Sequence, residues 1–200
     1  MRRDPAPWNH NIHYHLLVLD AVPDGCQRCL DVGCGEGLLA RELRRVVPHV
    51  VAIDSDGPVI GRARQRDAGA GVAYVVGDFL THGFPPGSFD MIASVAALHH
   101  MDAAAALRRM RRLLRPGGVL AVVGLARSRP RDLPADAAGA VAHRVLAAGR
   151  SYQEVSAPTI WPPPQTYAQV RRIAAETLPG VRYRRHLLWR YSLIWAKPPS

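Results

Sequence analysis

The segment CLDVGCGEGLLA, residues 29–40, decides how the rest of the chain is read. A short apolar run carries an acid at Asp31, glycines follow at alternate positions (Gly33, Gly35, Gly37), and a helix-like stretch begins at Leu38. A loop that only has to turn rarely needs three residues without side chains, so a ligand is expected to lie against this backbone. A dinucleotide fingerprint, GxGxxG, would place its third glycine at position 38, where the chain has Leu38. An acid two residues before the first glycine would also oppose a pyrophosphate, so Asp31 argues for a ligand with a cationic end.

Apolar runs of strand length recur outward from this segment: CLDV (29–32), VVAID (50–54), VAYVV (72–76), FDMIASV (89–95) and VLAVVG (119–124). They are short, rich in Val and Ile, and hydrophobic on both faces, as strands of a covered parallel sheet must be. Between them lie LLARELRRVV (38–47), PVIGRARQRDAGA (58–70) with a first-turn proline, and DAAAALRRMRRLL (102–114). The last starts on a capping Asp102 and is expected to stop at Pro116, Gly117 and Gly118. This alternation predicts an α/β doubly wound domain. VRYRRHLL (181–188) and YSLIWAK (191–197) add an antiparallel C-terminal hairpin turning at Trp189 and Arg190, which makes the sheet seven-stranded and mostly parallel.

Residues 10–22 read as a short amphipathic helix ahead of the first strand, a lid. The rhythm breaks between 127 and 164, where RSRPRDLP leads into an alanine-rich helix near 135–148 and then SAPTIWPPPQ. Four prolines within residues 158–164 exclude regular helix there, so this stretch reads as an extended insertion or lid over the acceptor site. A further helix is expected near 165–178, and residues 1–200 are read as a single domain.

A chain of 200 residues can bury a substantial core without disulfides or metals. No apolar run approaches the roughly 20 residues of a membrane span, so a cytoplasmic protein with no membrane partner is expected. The formal charge is +10, and Lys197 is the single lysine. The arginines are scattered, from Arg62, Arg64 and Arg66 through Arg108–Arg115 to Arg182–Arg185, and read as solvated helix and strand faces. Basic charge without a reading module leaves nucleic acid an unfavoured partner. Cys26, Cys29 and Cys34 offer one CxxC without a second pair, so packing is preferred to zinc. WNHNIHYH (8–15) groups His10 and His13 without a carboxylate or cysteine, and no metal is expected there either.

Three acids converge on one chemistry. Asp54 ends the second strand, twenty-three residues after Asp31, where a carboxylate can take both hydroxyls of a ribose. Asp78, in VVGDF, follows the third strand and can accept from the exocyclic amine of adenine, with Phe79 as an apolar ring neighbour. All three acids fall at the carboxyl ends of strands, where open α/β sheets bind ligands. The ligand implied has a ribose, a base, a positive end and no phosphates.

On these residues the chain resembles the class I S-adenosylmethionine-dependent methyltransferases, in particular the small ubiquinone/menaquinone-biosynthesis-like group (methyltransferase type 11). DVGCGEG, VVAIDSD, VVGDF, GSFDMIASVAALHH and LLRPGGVLAVVG match that family's successive motifs in order, over about residues 12–125. The resemblance implies a Rossmann-like methyltransferase fold with S-adenosylmethionine as cofactor and S-adenosylhomocysteine as product. Gly33, Gly35 and Gly37 would let the backbone approach the cofactor, and Asp31 would lie near its amino acid moiety. Asp54 would hold the ribose, Asp78, Phe79 and Ser55 the adenine, and Ser94 and Val95 would form the floor.

Methyl transfer from a sulfonium is an in-line displacement, so the protein chiefly aligns the nucleophile and excludes water. If the acceptor needs a base, His99 in AALHH is the preferred candidate, against a reading in which LHH only packs the loop. Tyr14 is a candidate hydrogen-bond donor to the cofactor from the N-terminal lid, which in related enzymes folds over the cofactor or acceptor, and Trp161 and Tyr167 either wall the acceptor pocket or pack beside it. SVAA after the fourth strand, in place of an NPPY-like tetrapeptide, lowers DNA-base and glutamine methylation. A small-molecule acceptor leads, with an RNA acceptor and a catalytically silent cofactor-binding module as alternatives.

Overall fold

Two aspartates start crossover helices: Asp56 accepts from the Val59 amide at 3.0 Å and Asp102 from the Ala105 amide at 2.7 Å. Each closes the first turn of a crossover helix and satisfies an amide left over at its N-terminus. The computed structural model describes residues 7–67, 69–148, 150–152 and 161–199. In chain order the elements are β1 (Pro7–Trp8), α1 (His15–Leu19), β2 (Arg28–Val32), α2 (Leu38–Leu43), β3 (His49–Asp54) and α3 (Gly57–Arg66). They continue with β4 (Ala73–Val76), β5 (Phe89–Val95), α4 (Ala103–Leu113), β6 (Leu114–Gly124) and α5 (Leu133–Ala147). The chain closes with β7 (Ser151–Tyr152), α6 (Tyr167–Thr177), β8 (Arg182–Arg185) and β9 (Tyr191–Ala196).

Seven strands form one sheet in the order β4-β3-β2-β5-β6-β9-β8. β2 pairs in parallel with both β3 and β5, and β9 runs antiparallel between β6 and β8. The fold is therefore the doubly wound α/β arrangement with an antiparallel C-terminal edge that the apolar runs predicted. One core, around Leu30, Ile92, Leu107, Met110, Leu120 and Val170, lies under α4 and α6. The other, around Val18, Leu39, Leu43, Ile60, Met91 and Val123, lies under α1, α2 and α3. On α4 the buried positions Ala103, Ala106, Leu107, Met110 and Leu113 recur every three or four residues, the stripe that a helix covering a sheet requires. The order of strands reverses between β2 and β5, and the crevice above that point is where such sheets bind ligands.

Several boundaries differ from the sequence reading, each for a tertiary reason. β6 starts at Leu114, not after the glycines: Phe89 pairs with Leu114 and Met91 with Val119, so Pro116, Gly117 and Gly118 bulge within the strand. Gly117 sits at φ +77°, and a Cβ on Gly118 would stand 2.9 Å from the Asp90 carbonyl oxygen. The hairpin does not turn at Trp189–Arg190 alone: β8 ends at Arg185 and residues 186–190 form the connection, with Leu188 and Trp189 at φ +56° and Leu188 fully buried. α3 stops at Arg66, because Asp67 captures the Gly71 amide at 3.1 Å. The stretch 10–22 resolves into a 3-10 turn (Ile12–Tyr14) followed by the short α1, started by Asn9, whose Oδ1 accepts from the amides of Asn11 and Ile12 at 2.9 Å. Within 127–164, α5 occupies the place of the alanine-rich helix. Residues 156–160, the first half of SAPTIWPPPQ, lie outside the described residues.

Arg108, Arg112, Arg182 and Arg184 are exposed, as a solvated face would have them, but others are engaged. Arg62 pairs with Glu36 at 2.9 Å, Arg66 also binds Glu36, and Arg64 donates to the Tyr74 carbonyl at 2.9 Å. Arg109 and Arg111 donate to the carbonyls of His82 and Thr177. No helix among the described residues is long and apolar enough to cross a membrane.

Candidate active site

The loop from Gly33 to Gly37 leaves β2 and enters α2, and all three glycines are left-handed, at φ +70°, +54° and +75°. Their surroundings differ. A Cβ on Gly33 would lie 2.2 Å from the Ala97 methyl, and one on Gly37 would lie 2.5 Å from the Tyr74 hydroxyl, whereas one on Gly35 would meet nothing within 4 Å. Gly33 and Gly37 thus let the loop fit the protein, and Gly35 alone leaves bare backbone facing open space. That space is a cleft of about 850 Å3 above the carboxyl ends of β2, β3, β4 and β5.

Asp31, Asp54 and Asp78 all line this cleft. Asp31 is 1% exposed and its Oδ2 has no hydrogen-bond partner among the described residues. Burial, with the nearby Asp54 charge adding to it, pushes its pKa from 3.8 up to about 7. Asp54 Oδ2 accepts from the Gly35 amide at 2.9 Å and Oδ1 from the Asp56 amide at 3.0 Å, so the second acid pins the bare loop in place. The exposed Asp78 accepts from the Leu80 amide at 2.8 Å through one oxygen. Ser55, Phe79 and Val95 also line the cleft, and Phe79 is buried with the Arg109 guanidinium 5.5 Å from its ring centroid.

The remaining expected residues sit off the cleft wall. Ser94 is fully buried and donates to the Val32 carbonyl at 2.9 Å, tying β5 to the start of the glycine loop. Tyr14 donates its hydroxyl to the Leu187 carbonyl at 2.6 Å, joining the N-terminal segment to the β8–β9 connection. His99 is buried behind the rim, its Nδ1 has no hydrogen-bond partner among the described residues, and its ring centroid lies 4.0 Å from that of His100. Burial first, then the charges of His100 and Arg190, lower its pKa to about 4. Its neighbour His100 is the one that faces the cleft. Tyr167 is buried beneath the Arg185 guanidinium, 4.0 Å from its ring centroid, and Trp161 is exposed.

The sequence reading missed the inner face of the N-terminal segment. It singled out His10 and His13, but the side chains at the cleft are Asn9, Asn11, Ile12 and His15. His10 instead approaches His143 of α5, with the two ring nitrogens 2.9 Å apart, and His15 pairs with Glu42 at 2.7 Å. Asn11 Oδ1 accepts from the guanidinium of the buried Arg190, 2.7 Å from its Nη2. The spacing of Asn9, Ile12 and His15 was the available signal, since a 3-10 turn brings every third residue to one face. Among the described residues, no group of three His, Cys, Asp or Glu side chains is placed to hold a metal. Cys26, Cys29 and Cys34 are free, and burial raises the pKa of each thiol, which suits packing.

Residues 30–122 match the family model described as a methyltransferase domain. The chain is 43% identical over 197 residues to an uncharacterized methyltransferase of Mycobacterium tuberculosis, covering 96% of this chain and 98% of that one. The chain belongs to the S-adenosylmethionine-dependent methyltransferases. It is also 37% identical over 112 residues to a demethylmenaquinone methyltransferase of Roseiflexus castenholzii, covering 54% of this chain and 47% of that one. Among solved structures, phosphoethanolamine N-methyltransferase 2 of Haemonchus contortus, in complex with S-adenosyl-L-methionine, superposes with a TM-score of 0.66 at 18% identity. It covers 98% of this chain and 54% of that one, a likeness of fold. Membership makes this chain a methyltransferase, and its methyl donor is S-adenosylmethionine.

Proposed function

We propose that this methyltransferase acts on a small-molecule acceptor, with the donor held in the cleft by Asp31, Gly35, Asp54 and Asp78. The observation that carries the site assignment is the buried Asp31 carboxyl, whose Oδ2 has no hydrogen-bond partner among the described residues, beside bare loop backbone. A buried anion without a partner is costly, and the ammonium of an amino acid is the group that would satisfy it. S-adenosylmethionine, when bound, supplies a methyl group already activated on sulfur. Asp54 would take the ribose hydroxyls through oxygens that its two backbone bonds already orient. The exposed oxygen of Asp78 would accept from the adenine amine. Met101 and Asp102, also at the cleft, would then bound the adenine end.

The acceptor would enter from the side closed by Asn9, Asn11 and His100. A small molecule is favoured because the family relative from Roseiflexus acts on demethylmenaquinone by name, and because many arginines here are spent on internal carboxylates and carbonyls. Three free thiols suit a reducing cytoplasm. If the acceptor must lose a proton, His100, which faces the cleft, is better placed to take it than the expected His99 behind the rim.

Calorimetry with S-adenosylhomocysteine tests the site, and product release across phenolic, quinol, amine and carboxylate acceptors tests the class. Binding that survives Asp54→Ala unchanged overturns the site assignment. Tight binding with no transfer to any acceptor leaves the silent cofactor-binding module as the better reading. Transfer to RNA that weakens steeply with salt replaces the small-molecule reading with the RNA one.

A further inference from the structure

α5 is fifteen residues long, and Gly139 is its one buried residue. Its inward side is fixed: a Cβ on Gly139 would stand 3.4 Å from the Trp189 indole, and Asp132 and Asp136 pair with Arg185 at 2.5 and 3.2 Å. Both acids of this segment are thereby turned toward the body of the protein. With successive residues about 100° apart, Leu133, Ala137, Ala138, Val141, Arg144 and Val145 share an outward arc of about 140°.

That arc is apolar where a surface helix is ordinarily polar. Leu133, Val141 and Val145 are 64%, 63% and 69% exposed, and Arg144 is the only charged residue on the arc. Arg129 and Arg131, just ahead of the helix, are exposed as well, and Trp161 of the same insertion is 70% exposed. Apolar side chains that point out in a group, fringed by cations with the acids withdrawn, complement a surface that is both apolar and anionic.

We propose that the outward face of α5 rests on an anionic lipid bilayer, with Leu133, Val141 and Val145 in the headgroup boundary and Arg129, Arg131 and Arg144 at the phosphates. The expectation of no membrane partner rested on the absence of a spanning segment, and lying on a surface needs only one apolar face. A second copy of the chain fits this face poorly, because a two-fold contact would set the same cationic fringe against itself. A protein partner fits less well than a bilayer, since a convex arc of alanine and valine offers no pocket for an anchoring side chain. The proposal is independent of the identity of the methyl acceptor.

The test is co-sedimentation of the full chain with phosphatidylcholine vesicles prepared with and without phosphatidylglycerol. Retention is expected on the anionic vesicles, falling as salt rises. The double substitution Val141→Asp with Val145→Asp should weaken it by at least about tenfold, while far-UV circular dichroism and S-adenosylhomocysteine affinity stay unchanged. Leu133→Ser, a milder change at the other end of the arc, should weaken it in the same direction. Equal retention on neutral vesicles, or wild-type retention by the double variant, overturns the proposal. A dimer in solution that the double variant dissociates, or binding to poly-L-glutamate by a chain that ignores vesicles, also overturns it and assigns the face to a protein surface.

Discussion

Replacing Asp31 by Asn should make the unliganded protein more stable above neutral pH while removing most of its affinity for the cofactor. The carboxyl titrates at about 7 in the fold against 3.8 ordinarily, because it is buried and faces Asp54. A raised pKa means that the folded state holds a proton the unfolded chain has lost. The wild-type protein therefore has its full stability below pH 3.8 and loses part of it as pH rises toward 7. At 1.36 kcal/mol per unit, the charge costs about 1 kcal/mol at pH 4.5 and about 4 kcal/mol at pH 8.5, the latter an upper bound after local relaxation. For a chain of this size, Asp31→Asn should raise the midpoint of thermal unfolding by roughly 5–15 °C at pH 8.5. The gain should shrink to a few degrees at pH 4.5. Calorimetric titration supplies the second arm. In wild type near pH 6.5, binding of S-adenosylhomocysteine should release a proton to the buffer as the ligand's ammonium ionises Asp31, and the variant should bind about 100-fold more weakly without that release. Identical unfolding midpoints at pH 8.5, or a difference that does not shrink in acid, would refute the reasoning.

The glycines separate by neighbour rather than by motif: Gly37→Ala should cost roughly 2–4 kcal/mol of stability through its left-handed backbone and the Tyr74 ring. Gly35→Ala, next to open space, should cost only about 1 kcal/mol yet weaken S-adenosylhomocysteine binding, as denaturant melts and calorimetry would show. His99→Gln should slow turnover without altering cofactor affinity if His99 takes the acceptor's proton, and the wild-type rate should then hold steady down to the acid limb set by a pKa of about 4. Unchanged turnover returns His99 to packing. Asp90, partly buried but held below the usual carboxylate range by the amides of Arg28 and Gln27 and by Arg115, stabilises the fold above its unfolded pKa and loses that contribution as acid protonates it. Asp90→Ala should accordingly lower stability by about 1–3 kcal/mol at neutral pH, with the deficit narrowing below pH 4 in urea melts.

What the sequence by itself determined is whatever its local signals encode. The five apolar runs became parallel strands because hydrophobic periodicity and its breakers act over a few residues. Asp56 and Asp102 became helix caps through their own following amides. Asp31, Asp54 and Asp78 could be placed at one rim because each closes a strand, and parallel strands end on the same side. What the tertiary structure alone decided depends on partners far along the chain. Gly33 answers to Ala97 and Gly37 to Tyr74, so their need was legible and its cause was not. The strand through Pro116–Gly118 is held by β5, and the connection after Arg185 is shaped by Leu188 and Arg190 reaching toward the N-terminal segment. Asn9 and Asn11 came to the cleft while His10 went to His143, a choice made by α5 more than a hundred residues away. The outward turn of Val141 and Val145 belongs with these, because a run of alanine and valine does not state which side it will bury until Arg185 claims Asp132 and Asp136.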